Sequence, residues 1–244
     1  MKTIVAIHQP NFFPWLGYFD KIARSDVFVL LDNVYFPKTG GTWGNRVKLI
    51  VSGKEQWITI PIVRSYHGQR RINEMKINNS LDWRARILKT IQLNYGSFPY
   101  FKEVIPIVET LINNPTDNLA DFNITAIRTL ARKLGILTDK FILGSALKID
   151  NGGNNLLIEI TKAVGGTTYM CGGGAEGYQD DVLIETSGLN LVYQDFEHPI
   201  YIQKHSKTFI PGLSIIDALF NLGMEGVACL VLDKQYETSA TTKQ

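Results

Sequence analysis

The 244 residues carry 25 Lys and Arg against 23 Asp and Glu, and 45% of them are apolar. That near-neutral balance removes the electrostatic case for a nucleic-acid partner, and the basic clusters that do occur, RVKLIVSGK and GQRRINEMK, are broken by apolar and polar residues. Two cysteines, Cys171 and Cys229, are too few for a disulfide framework and fit a reducing, cytoplasmic setting. The opening MKTIVAIHQPN holds a short apolar run that ends in His-Gln-Pro, so no targeting leader is expected. No stretch approaches about 18 consecutive apolar residues, so no membrane insertion is expected.

Taken in chain order, TIVAIHQ reads as a strand buried on both faces. From Pro14 to Arg24 the residues Leu16, Phe19, Ile22 and Ala23 fall at helical spacing, with Pro14 suited to a first helical turn. DVFVLLDNVYF is a second buried strand. NRVKLIV and EQWITIPIV flank the turn residues SGK and read as a β-hairpin, and RINEMKIN adds a further extended piece. Three apolar stripes follow, led by Trp83, Phe101 and Leu119, each at helical spacing. KFILGSAL then returns as a strand, NNLLIEITKAV as a helix, TTYMCGGG as strand and turn, and LNLVYQDF as another strand. In LSIIDALFNLG, Ser214 and Asp217 have capping-box spacing and Gly223 is placed to stop the helix.

The expected fold is α/β, with a mixed or parallel sheet of Rossmann-like type, a β-hairpin and a helical insertion near 81–136. A single domain is expected over 1–230, followed by a polar tail at 231–244.

In an open α/β sheet, ligands collect outside the carboxyl ends of the strands. His8, Gln9 and Asn11 follow the first strand, Asp32 the second, Cys171 to Gly174 the strand TTYM, and His198 the strand LNLVYQDF. His8 suits acid–base or anion-binding work at a helix start; the alternative is a histidine that hydrogen-bonds its own turn. CGGGAEGY lets main-chain N–H groups converge on a phosphate, or is a tight turn. It lacks the Gly-Lys-Ser/Thr of a phosphate-binding P-loop. Arg46 forks onto a carboxylate or phosphate, or is a surface charge. Alternation in FEHPIYIQKHSKTF puts Tyr201 and Gln203 on one face. No histidine pair has metal-site spacing, so no metal is expected, and no cofactor is assigned.

IHQPNFFPWLGYFDKIARSDVFVLLDNV, then NRVKLI, WITIPI, LNYGSFPYF, YMCGGGAEGY, FEHPIYIQ and LSIIDALFNLG together resemble the WbqC-like family. The resemblance covers roughly residues 4–225 in the family's order, and His-Gln-Pro with Pro-Trp-Leu-Gly-Tyr is its most specific part. It implies a bacterial protein from gene clusters that make surface polysaccharide. A fainter likeness is to nucleotidyltransferases with an HxGH motif, where WLGY puts Trp15 and Tyr18 in place of both histidines.

The resulting expectation is an enzyme that transfers a small acyl or aminoacyl group on a nucleotide-linked amino sugar. An ATP-dependent ligase or nucleotidyltransferase and a non-catalytic pathway partner are the alternatives. The candidate catalytic residues are His8 and His198. The candidate substrate-binding residues are Gln9, Asn11, Tyr18, Asp32, Arg46, Gly172, Gly173, Gly174, Tyr178, Tyr201 and Gln203.

Overall fold

The computed structural model describes residues 2–173 and 179–240, with side chains as far as residue 232. The fold is α/β, with a five-stranded parallel sheet, a two-stranded antiparallel sheet and seven α-helices among these residues. β1 (Ile4–His8), α1 (Leu16–Arg24) and β2 (Val27–Leu30) make the first strand–helix–strand unit. β3 (Arg46–Val51) and β4 (Lys54–Thr59) form the expected hairpin. Its turn residues Ser52 and Gly53 both have positive φ, 52° and 75°, as a two-residue hairpin turn requires.

The three apolar stripes become α2 (Trp83–Tyr95), α3 (Phe101–Ile112) and α4 (Leu119–Lys133). β5 (Phe141–Leu143), α5 (Gly153–Ala163), β6 (Thr168–Cys171), α6 (Asp181–Thr186), β7 (Asn190–Tyr193) and α7 (Ile215–Ala240) complete the chain.

The parallel sheet has the order β5-β2-β1-β6-β7. Counted by appearance among the parallel strands, that is the 3-2-1-4-5 order of a Rossmann-type sheet. Val5 pairs with Val27 on one side and Tyr169 on the other, so β1 is central. Period-two alternation divides the core. Ala6, Phe28, Leu30 and Met170 face α1, α4 and α7. Val5, Ile7, Val29, Tyr169 and Cys171 face α5 and α6. Full burial of each large apolar side chain is worth about 1.5–3 kcal/mol, so both faces must be covered. That demand sends α1 and α5 to opposite sides of the sheet.

Several local expectations change. α1 begins at Leu16, not at Pro14; the Pro14 carbonyl instead accepts from Ile215 N at 2.9 Å, which ties the helix entrance to α7. RINEMKIN is a short 3-10 turn (Ile72–Glu74) with isolated bridges, not a strand. α6 is too short to have stood out by periodicity. Gly223, with φ 73° and ψ 178°, breaks the helical path as its residue type suggested, but helix resumes beyond it to Ala240. The stretch Ile215–Leu232 is long and apolar enough to cross a membrane. Here, however, it is kinked at Gly223 and packs against α1 and α3, with over half of it buried.

The segment between β7 and α7 is held by a buried carboxylate. Asp217 is fully buried; its oxygens accept from the Tyr95 hydroxyl at 2.9 Å and the Tyr201 hydroxyl at 2.7 Å. Gln203 closes its own loop, donating to Ile210 O and accepting from Ile210 N. Ser214 caps α7, its Oγ accepting from Ile216 N, while Asp217 turns to the tyrosines instead of completing a capping box. Tyr201 and Gln203 point inward as alternation suggested, leaving Ile200 and Ile202 exposed.

Burial pushes the Asp217 carboxyl up to about 6 from 3.8, against hydrogen bonds from Tyr201, Tyr95 and Asn221 that pull it down. A raised acid contributes stability that is fully present below its unfolded value and is lost as pH rises through its folded one. The loss from this carboxyl is about 3 kcal/mol at about 1.4 kcal/mol per pKa unit. Urea unfolding of Asp217→Asn should therefore lack a decline between about pH 4 and pH 7 that wild type shows; equal slopes would refute the assignment.

Candidate functional site

A cavity of about 1040 Å³ opens over the carboxyl ends of β1, β6 and β7. This is the crevice that the strand-order reversal at β1 creates. Its walls come from His8 and Gln9 after β1, Trp15, Tyr18 and Lys21 on or before α1, and Gly172 and Gly173 after β6. Gln194 to His198 follow β7, and Gly153 and Asn154 begin α5. The backbone N–H groups of that helix start favour negative charge.

The floor is fixed from below. Asn123 on α4 is fully buried, and its Nδ2 donates to Pro10 O at 2.9 Å and Gly44 O at 2.7 Å. One carboxamide thus pins the His-Gln-Pro-Asn turn to the hairpin approach. The Gln9 carbonyl accepts twice, from the Tyr18 hydroxyl at 2.9 Å and from His8 Nδ1 at 3.0 Å. That contact assigns the proton of a neutral His8 to Nδ1 and leaves Nε2 as a lone-pair acceptor. The ring lies edge-on to Tyr18 and Trp15, with centroids 4.6 and 5.9 Å away.

Burial first and the Lys21 charge second bring the His8 pKa down to about 3, against the Gln9 contact, which raises it. Lys21 is 3% exposed, and its Nζ donates to Ile7 O at 3.2 Å. Burial brings its pKa down to about 8, near neutrality, where proton transfer is efficient. Burial holds the Tyr18 phenol well above its ordinary value, so it stays a neutral donor. Cys171 is buried, with its thiol pushed up by burial and directed to Val192 O; it is a packed thiol rather than an activated nucleophile.

Of the residues expected from sequence, His8, Gln9, Tyr18, Gly172, Gly173 and His198 meet at this cavity. The His198 ring packs edge-on against Phe196 at 5.1 Å. Five others lie elsewhere. Asn11 is buried outside the cavity lining. Asp32 accepts from Ser145 N, Ser145 Oγ and Asn73 Nδ2, joining the ends of β2 and β5. Arg46 lies over the Trp57 ring at 4.2 Å on the hairpin. Tyr201 and Gln203 are engaged in the segment before α7. Gly174 and Tyr178 lie outside the described residues. Among the described residues no group of three His, Cys, Asp or Glu is placed to hold a metal.

Lys21 and Gln194 were not singled out by residue pattern. Lys21 lies on the stripe of Tyr18 and Ile22; a lysine on an otherwise apolar helix face was the available signal. Trp15 and Tyr18, where HxGH enzymes have histidines, are ring walls around His8.

The sequence model of the WbqC-like protein family matches residues 9–229. A protein of Mycobacterium tuberculosis, "Uncharacterized protein Rv1507c", is 28% identical over 222 residues, spanning 91% of this chain and 94% of that protein. No solved structure matches the chain.

The His8–Lys21 coupling has a direct readout. In Lys21→Met, the His8 pKa measured by NMR should rise from about 3 while staying below 6.5, because burial, the larger cause, remains. An unchanged value would show that the two groups do not interact.

Proposed function

This chain belongs to the WbqC-like family, and from that membership and the cavity we propose an enzyme of bacterial surface-polysaccharide assembly that transfers a small acyl or aminoacyl group on a nucleotide-linked amino sugar. The observation that carries the reading is a buried ammonium, Lys21, sharing one switch-point cavity with a neutral histidine, His8. The cavity volume lies at the upper end of the roughly 300–1,000 Å³ typical of small-molecule sites. Lys21, the main chain at Gly172 and Gly173 and the start of α5 suit a diphosphate or carboxylate.

Acyl transfer from an activated donor to an amine forms the C–N bond, breaks the bond from the acyl carbon to the donor's leaving group, which departs with that electron pair, and removes one N–H proton from the oriented amine. His8 Nε2 accepts a hydrogen bond from that N–H. Lys21 holding an anion stays an ammonium with no lone pair, so the proton goes to His8 Nε2, the open acceptor. An anion docked on Lys21 offsets the charge that depresses His8, so bound substrate makes His8 more basic. Positioning supplies most of the acceleration. His198 and Glu197 line the cavity, which supports assigning them to the sugar. The reaction is set in the cytoplasm.

An ATP-using ligase of the HxGH type would need phosphate-binding histidines where Trp15 and Tyr18 stand. A non-catalytic partner would present a broad apolar face rather than a cavity with buried titratable groups.

A thermal-shift screen against UDP- and dTDP-linked amino sugars tests the reading. A ligand at 100 times its Kd stabilises by about 2.7 kcal/mol. Wild type should respond, and folded Lys21→Met and His8→Ala variants should lose both the response and polymer modification in cells. Folded variants that still support wild-type modification would sink the assignment.

A further inference from the structure

Gln194 follows β7 and is 6% exposed. Both of its amide hydrogens are engaged: Nε2 donates to Gly17 O at 2.6 Å and to Asp20 Oδ2 at 2.8 Å. Asp20 is fully buried and is paired 3.5 Å from Arg24, which also donates to Gln194 O. Two oxygen acceptors around one amide nitrogen leave no alternative orientation. Oε1 must face away from them, and no described group donates to it. The carboxylate behind Nε2 polarises the amide and makes Oε1 a stronger acceptor.

Oε1 and the Lys21 ammonium converge on one place. A Cβ built on Gly172 would lie 3.8 Å from Gln194 Oε1 and 4.0 Å from Lys21 Nζ. Lys21 gives a hydrogen bond to Ile7 O and has no carboxylate within ion-pair distance among the described residues. The bare main chain of Gly172 therefore leaves a small volume bounded by a cation and a fixed acceptor. A lone phosphate would match Lys21 but meet the lone pairs of Oε1. A lone amine would match Oε1 but meet the ammonium. A group carrying an anion and an N–H donor a few ångströms apart satisfies both.

We propose that the volume over Gly172 is a subsite for the ammonium-and-carboxylate end of an α-amino acid, with the carboxylate on Lys21 Nζ and the ammonium on Gln194 Oε1. In an activated aminoacyl donor, the carbonyl oxygen takes the place of the carboxylate. The inference rests on the transfer reading only in naming the transferred group as aminoacyl; the subsite itself stands on the geometry.

Calorimetric titration of the full chain with the free amino acids tests it, followed by the des-amino and decarboxylated analogues of the best binder. At least one amino acid should bind, each analogue at least about tenfold more weakly, the usual worth of one charge-assisted hydrogen bond. Gln194→Leu should weaken the amino acid about tenfold and leave its des-amino analogue unchanged. Gly172→Ala should keep the melting temperature, since its methyl makes ordinary contacts, yet fill the subsite and remove amino-acid binding.

No amino-acid binding, equal binding of the des-amino analogue, or a Gln194→Leu loss shared by both would overturn the proposal. A nucleotide sugar binding without any amino acid would remove the subsite and leave the transfer reading standing. An amino acid binding without any nucleotide sugar would support the subsite and remove the amino-sugar acceptor.

Discussion

The cavity depends on the position of β1 between two parallel neighbours, with the chain crossing to opposite faces on its two sides. Both faces of a parallel sheet must be covered, so α1 lies over one and α5 over the other. Past the carboxyl end of β1 no helix can cover both directions at once. A crevice results, and whatever leaves β1 becomes its floor. Here that floor is His-Gln-Pro-Asn. Pro10 within it and Pro14 just beyond it bring no N–H groups, and the carbonyls are matched one by one: Gln9 by Tyr18 and His8, Pro10 by Asn123, Pro14 by Ile215. The segment runs from half-buried His8 through exposed Gln9 to buried Pro10 and Asn11, and with Nδ1 turned to the Gln9 carbonyl the His8 ring keeps Nε2 as its acceptor.

The electrostatic character of the site follows from the same packing. Lys21 occupies a helix position that faces the sheet, so its ammonium is buried where no carboxylate of the described residues meets it. An ammonium held this way shifts toward its neutral form and gains more from an anionic ligand than a surface lysine would. His8 sits within its field, so the two titrations are linked. A cluster of this kind in a crevice is the pattern that functional sites display.

The parallel strands were legible because β1, β2, β6 and β7 are short apolar runs closed by polar residues, and the helical insertion because its stripes hold their period. His8 and the glycines after Cys171 were reached through the strand-end rule. Lys21 escaped for a physical reason: a residue inside an apolar helix stripe reads as core, and only the fold shows which core positions border a cavity. Gln194 escaped because its two amide partners lie near the start of the chain. Asp32, Arg46, Tyr201 and Gln203 are the converse. Asp32 pairs with Ser145, Tyr201 with Asp217 and Arg46 with Trp57. Polar residues near strand ends resemble ligand groups until distant partners are placed beside them.

The central claim is that Lys21 is a buried, ligand-facing ammonium. Trace labelling of lysines with acetic anhydride across about pH 7 to 11, read by mass spectrometry, tests it most directly. The account predicts that Lys21 titrates near 8, about two units below exposed lysines, and that a bound nucleotide sugar protects it alone. A Lys21 that titrates with the exposed lysines, or labels equally with saturating ligand present, would contradict it.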